Sequence, residues 1–191
     1  MPKFVADSSV SPTGLKWAAA AGSQLNTSFI TSGSITSGTS LTLSSLSDYD
    51  QLFLWISNLN SSANGSAFRI RLNGSSSAVY ATGSVETRLG GTNAGTGNVG
   101  TGDTSWSVGQ NYGFKNNTQN GVLIRLTNCK SASGFTNAQI NAVFEHFNTT
   151  DRIIFTSDNV FASNETISSI VLSWLDGNTF SAGNYRLYGA K

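Results

Sequence analysis

From about residue 40 onward, apolar residues come in short bursts of strand length separated by clusters of Ser, Thr, Asn and Gly. In SLTLSSL (40–46), Leu41 and Leu43 alternate with polar residues, and Leu46 follows after a slip. QLFLWIS (51–57) is almost wholly apolar, which predicts a strand buried on both faces or lying at a sheet centre. AFRIRLNG (67–74) shows the clearest alternation: Phe68, Ile70 and Leu72 point one way, Arg69 and Arg71 the other. Asn73-Gly74 then supplies a turn signal, and SAVYA (77–81) is the expected returning strand of a hairpin.

The second half repeats this grammar. GVLIRLTNC (121–129), INAVFEHF (140–147), DRIIFTS (151–157), ISSIVLSWL (167–175) and NYRLYGA (184–190) have strand length and β-branched or aromatic content. In ISSIVLSW, Ile167, Ile170, Leu172 and Trp174 fall mostly on one face and Val171 on the other. No segment keeps a helical period over three turns. Between them lies GGTNAGTGNVGTG (90–102), whose one large apolar residue is Val99, and which predicts a mobile surface loop. About eight to ten short strands with polar turns predict an all-β protein, an antiparallel β-sandwich or jelly roll.

The opening residues, MPKFVADSSVSPTGLKW, follow a different pattern. They hold both prolines of the chain (Pro2, Pro12), Lys3 and Lys16, and one of its four tryptophans, Trp17. The residue before each proline is pushed toward extended backbone, and the Ser, Thr and Gly between them offer turns but no core. This predicts an extended attachment arm with apolar anchors at Phe4, Val5, Leu15 and Trp17. The expected organisation is an arm and linker over 1–24, followed by a single β-sandwich domain over 25–191.

Composition narrows the classes of partner. A chain of 191 residues suffices for one domain burying roughly 70% of its unfolded surface. Charged residues make up 11% and balance to +1 without runs, so no basic face for nucleic acid is expected. Eleven Phe, five Tyr and four Trp argue for order despite the abundance of Ser, Thr, Asn and Gly. The single cysteine, Cys129, allows no intramolecular disulfide and reads as a buried thiol. No run approaches the ~20 apolar residues of a membrane span, so membrane insertion is not expected. The opening residues also lack the continuous apolar core of a secretory signal.

Candidate chemistry is sparse. Gly95, Gly97 and Gly100 have GxGxxG spacing, but glycine and threonine flank them where a nucleotide site needs a strand and a helix. His146 is the only histidine. Its neighbour Glu145 points to the opposite face of a strand and cannot orient it. Glu86 and Glu145 are the two acids within strand-like runs, and so the pair a glycoside hydrolase would need. Most of the other acids sit at run boundaries, and no calcium-loop pattern is present. Trp106, Tyr112 and Phe114, in or just after the glycine-rich stretch, are the candidates for stacking on sugar rings. Against that stands the simpler reading that they pin a long loop onto the sandwich. No cofactor or metal is expected.

Three segments together carry a resemblance. FVADSSVSPTGLKWAA is similar to the ADxxxxxGLKWA connector of tailed-bacteriophage fibre and other virion proteins. LSSLSDYDQLFLWISNLNSSANGSAFRIRLNG and the closing ISSIVLSWLDGNTFSAGNYRLYGAK resemble, in order and spacing, a recurrent β-domain of the same proteins. The resemblance covers roughly residues 4–19, 44–81 and 167–191 and leaves 82–166 unmatched. It implies a non-enzymatic virion structural protein of the tail-fibre, head-fibre or capsid-decoration type, assembled in the host cytoplasm. It implies further that the arm contacts other virion proteins and that the chain forms a homo-oligomer, a trimer above other states. An alternative is a receptor- or carbohydrate-binding module that contacts host surface glycans. A third, a polysaccharide-degrading enzyme, would have to use Glu86 or Glu145.

Overall fold

The computed structural model describes residues 27–90, 95–131 and 133–191. The predicted arm over 1–24, with Phe4, Val5, Leu15 and Trp17, lies outside the described residues. The described chain is all-β. Its strands are β1 (Ser28–Ser34), β2 (Ser40–Leu43), β3 (Gln51–Ser61), β4 (Phe68–Leu72), β5 (Tyr80–Leu89) and β6 (Thr96–Asp103). They continue with β7 (Trp106–Val108), β8 (Gly121–Thr127), β9 (Thr136–Glu145), β10 (Arg152–Phe161), β11 (Ile170–Trp174) and β12 (Phe180–Ala190).

Two antiparallel sheets stack as a sandwich, one in the order β1-β12-β3-β8-β9-β10-β5-β6 and the other β2-β11-β4-β7. Without β5, β6, β9 and β10, the remaining strands pair as a nested set: β1 with β12, β2 with β11, β3 with β8, β4 with β7. One long hairpin with its tip between β4 and β7, rolled on itself, gives this order. It is the topology of a jelly roll. The other four strands are two insertions, β5–β6 between β4 and β7 and β9–β10 between β8 and β11. The insertions pair with each other through β10 and β5, and through β9 with β8, so they widen one sheet by four strands.

Strand alternation fills the space between the sheets. Leu52, Leu54 and Ile56 of β3 and Val122, Ile124 and Leu126 of β8 are buried toward Phe68, Ile70 and Leu72 of β4 and Leu172 of β11. Trp174 sits among Phe68, Phe114 and Phe180, with ring centres 5.4–5.8 Å away. Edge-to-face rings at this spacing add to the burial term.

Several expectations are corrected. QLFLWIS is a strand near the middle of a sheet but is buried on one face: Trp55 is 63% exposed. The reason is topological, because the small sheet covers only the face that carries Leu52, Leu54 and Ile56. Asn73-Gly74 does form a turn, with φ of 53° and 65° and Ser75 N donating to Leu72 O at 2.9 Å. The expected hairpin does not follow, since both edges of β4 are already taken by β11 and β7. The chain crosses instead to the large sheet as β5. Of the loop expected over 90–102, residues 91–94 lie outside the described residues and 96–102 fall in the edge strand β6, paired with β5. Glycine and threonine suffice there because an edge strand needs backbone pairing more than a core-facing side chain. β1 and β7 lie in stretches where no strand was expected, SFITSGS and WSV.

Candidate functional site

Of the three aromatic residues considered for stacking on sugar, Trp106 and Phe114 are buried, which corrects the stacking reading for them and agrees with the reading in which they pin the chain to the sandwich. Trp106 of β7 is fully buried and meets Tyr80 edge-on at 5.4 Å. Phe114 is fully buried between Phe144, stacked at 4.2 Å, and Trp174. Tyr112 is half-buried against His146, with its hydroxyl 3.3 Å from Thr96 Oγ1. The rings pin the segment from Gly109 to Asn120 across the sandwich. Gly113 permits the close crossing: its φ is +56°, and a Cβ there would lie 2.6 Å from Gly65 Cα.

Asn120, 1% exposed, fastens the same segment. Its Nδ2 donates to Leu59 O and Lys115 O at 3.0 Å, and its Oδ1 accepts from Glu145 N at 3.1 Å. Asn73 does similar work between β4 and β11. Its Oδ1 accepts from Ser168 N at 2.8 Å and Ser169 N at 3.2 Å, and its Nδ2 donates to Thr166 O at 3.0 Å.

The candidate catalytic groups do not assemble. In the register across β5, β10 and β9, Glu86 shares the inner face with Phe155 and Ala142, whereas Glu145 points outward beside Arg152. The two carboxylates therefore lie on opposite faces of one sheet. Glu145 is engaged by Lys115 Nζ at 2.6 Å and Arg152 at 3.7 Å. Glu86 is 1% exposed, and burial raises its carboxyl pKa, partly offset by the N–H groups of Asn111, Gln110 and Gly109. It borders a small depression of about 230 Å³ with Asp103, Ser105 and Ser107.

His146 is a turn residue. Its Nδ1 accepts from Asn148 N at 3.1 Å and its ring stacks on Phe147. Burial lowers its pKa, with Arg88 adding to the effect and Asp151 opposing it, so the ring is neutral at pH 7. Cys129 is buried, and its thiol is pushed up to about 12 by burial and then by Asp50, which makes it unreactive. Gly95, Gly97 and Gly100 belong to β6 or its approach, with no helix after them. Among the described residues no three His, Cys, Asp or Glu side chains converge.

The feature that sequence reasoning missed is the outer face of the large sheet. Where β1, β12, β3 and β8 lie side by side, the register puts Phe29 beside Tyr188, Tyr188 beside Phe53, and Phe53 beside Arg125. The next outward row is Ser32, Arg186, Trp55 and Leu123. Phe29 and Tyr188 meet edge-on at 5.7 Å, and the Arg125 guanidinium lies 5.7 Å from the Phe53 ring centre. An open groove of about 1020 Å³ runs over this area, bordered by Ser32, Ser34, Phe53, Trp55, Asn184 and Arg186 among others. Phe53 and Trp55 have the opposite parity to Leu52, Leu54 and Ile56, but in a run that is apolar on both parities the sequence does not show which face is left uncovered.

No protein-family model, curated protein or solved structure matches the chain.

Proposed function

We propose that this chain is a non-enzymatic structural protein of a bacteriophage particle, of the fibre or decoration type. Its N-terminal residues dock to other virion proteins, and its jelly-roll body is displayed outward, in a homotrimer. The observation that supports this most is where the phage-like segments fall in space. Residues 44–81 and 167–191, nearly a hundred positions apart in sequence, supply β3 with β12 and β4 with β11 as direct partners. Asn73 of the first segment also hydrogen-bonds Ser168 and Ser169 of the second. Two blocks that resemble one family separately thus combine into one packed unit, as pieces of one inherited domain must. The unmatched 82–166 holds β7 and β8 of the jelly roll together with both insertions, apart from the first two residues of β5.

A second reading, a module that contacts host-surface glycan, is favoured by the aromatic outer face of β1, β12, β3 and β8. Fold alone decides neither reading. The virion reading is tested by deleting residues 1–17 from the chain and following its entry into particles. The expected result is a folded β-protein that is absent from purified virions. Incorporation at the level of the full chain would overturn the docking role.

A further inference from the structure

We propose that the groove over Trp55 binds an acidic glycan, with Trp55 as the stacking platform and Arg186 as the carboxylate-binding group. This rests on the glycan-binding reading above and is independent of the virion reading.

The argument begins with exposure. Trp55 is 63% exposed on a regularly paired stretch of β3 whose other face is fully packed, and Phe29 is 57% exposed beside a register shift of the edge strand β1. A large aromatic held outward on a rigid strand, rimmed by polar groups, marks a ligand surface more often than a defect of packing. The backbone at Trp55 is fixed on both sides, by β12 through Arg186 and by β8 through Leu123. Its ring needs little ordering when a ligand arrives.

The polar rim suits a sugar. Ser32, Ser34, Ser57 and Asn184 border the groove with hydroxyl and amide groups that both donate and accept. Ser34 Oγ already donates to Asn184 Oδ1 at 3.1 Å, which turns the Asn184 amide nitrogen toward other acceptors. An open groove, apolar in its floor and neutral-polar along its rim, matches a pyranose chain: the C–H face lies on the indole and the hydroxyls meet the rim.

Charge selects the class of glycan. The strands β1, β12, β3 and β8 contain no Asp or Glu, while Arg125 and Arg186 both project from the outer face. Among the described residues neither arginine is paired with a carboxylate. Arg186 borders the groove directly, and its planar guanidinium matches a carboxylate in two-point contact. A hexuronate or sialate therefore fits better than a neutral hexose. The same charges disfavour a second copy laid face to face, because the contact would gather both arginines of each copy with no carboxylate from these strands to pair them.

The test uses the full chain and three probes: oligogalacturonate, oligosialic acid, and a neutral cello-oligosaccharide, each titrated by calorimetry at low and high salt. Binding of at least one acidic probe, weakened by salt, is expected. Trp55→Ala should weaken it about tenfold or more, and Arg186→Gln roughly tenfold. Phe135→Ala, at an exposed ring outside the groove, should leave it unchanged. Unchanged circular dichroism and urea midpoint for Trp55→Ala exclude misfolding as the cause. Equal, Trp55-dependent binding of the neutral probe would overturn the acidic class and leave the glycan reading standing. Binding of none of the three, with Trp55→Ala altering only the sedimenting mass, would overturn both and assign the face to self-association.

Discussion

The jelly-roll strands and the inserted strands share one sheet, but they are stabilised by different means. In the jelly-roll part, the inner faces of β3 from Leu52 to Ile56 and of β8 from Val122 to Leu126 are aliphatic, and the second sheet packs directly on them. In the insertions, the inner face mixes Phe155, Ile153 and Phe144 with buried Ser84, Glu86, Ser157 and Asn159. What the insertions have instead is ladder length. β10 pairs without a break along both β5 and β9, from Arg152 to Phe161. Burying apolar area contributes roughly 25 cal/mol per Å², whereas a hydrogen bond exchanged with water nets only about 1 kcal/mol. Local stability should therefore be highest around β3, β12 and β11 and lower in the β9–β10 hairpin, and the surface proposed to bind glycan is built on the stiffer part.

The most direct way to break this contrast is truncation on each side of it. Leu54→Ala, at a fully buried position of β3, should cost about 2–5 kcal/mol. Ser157→Ala in β10 removes the acceptor of the 2.8 Å bond from Asn159 Nδ2 and should cost only about 1 kcal/mol. Urea unfolding of the two variants measures both. Similar losses would mean that the insertions carry a core as effective as that of the body.

An effect smaller than that of Leu54→Ala tests what joins the two parts. Asn120→Ala removes the side-chain partner of the Leu59 carbonyl and the Glu145 amide and leaves the Lys115 carbonyl with Thr118 Oγ1 alone, and should cost about 1–3 kcal/mol. Hydrogen exchange should then quicken in β9 and β10 more than in β3 and β12. Uniform acceleration across the sheet would show that the extension has no independent opening.

What was legible in the sequence followed hydrophobic period rather than this division. AFRIRLNG alternates because one face of β4 is buried and the other is wet. The Arg69 and Arg71 parity was correct for that reason. β9 and β10 of the insertions were read from INAVFEHF and DRIIFTS, whereas β1 and β7 of the jelly roll were not. β6 could not be read, because an edge strand of glycine and threonine carries no hydrophobic period and is defined by the partner it meets. The hairpin from Asn73-Gly74 failed differently. The turn is local chemistry and formed as expected, but the pairing of β4 is settled by β7 and β11, some thirty to a hundred residues away. For a related reason Trp106 and Phe114 left two readings open, stacking on sugar or pinning the chain to the sandwich, and the second is the one that holds. A tryptophan or phenylalanine beside glycines looks like a surface loop until the topology folds that loop across a core. Trp55 was hidden by the opposite error, since an all-apolar run gives no hint that one face lacks a cover.

The smallest expected effect sharpens the account of the insertions' polar interior. Burial raises the Glu86 carboxyl above its ordinary value of 4.5, so the native state holds this proton more tightly than the unfolded chain does. The associated stability is present below about pH 4.5 and is lost as pH rises through the native pKa. Glu86→Gln keeps the shape and cannot ionise. Its midpoint should match that of the parent near pH 4 and exceed it near pH 7, by less than either truncation above changes stability. Thermal melts of both proteins at the two pH values provide the comparison. A variant less stable than the parent at pH 7 alone would mean that the N–H groups of Gly109, Gln110 and Asn111 hold the carboxylate as an anion, outweighing desolvation. The interior of the insertions would then be held by an anchored charge, rather than by partial burial and a long backbone ladder.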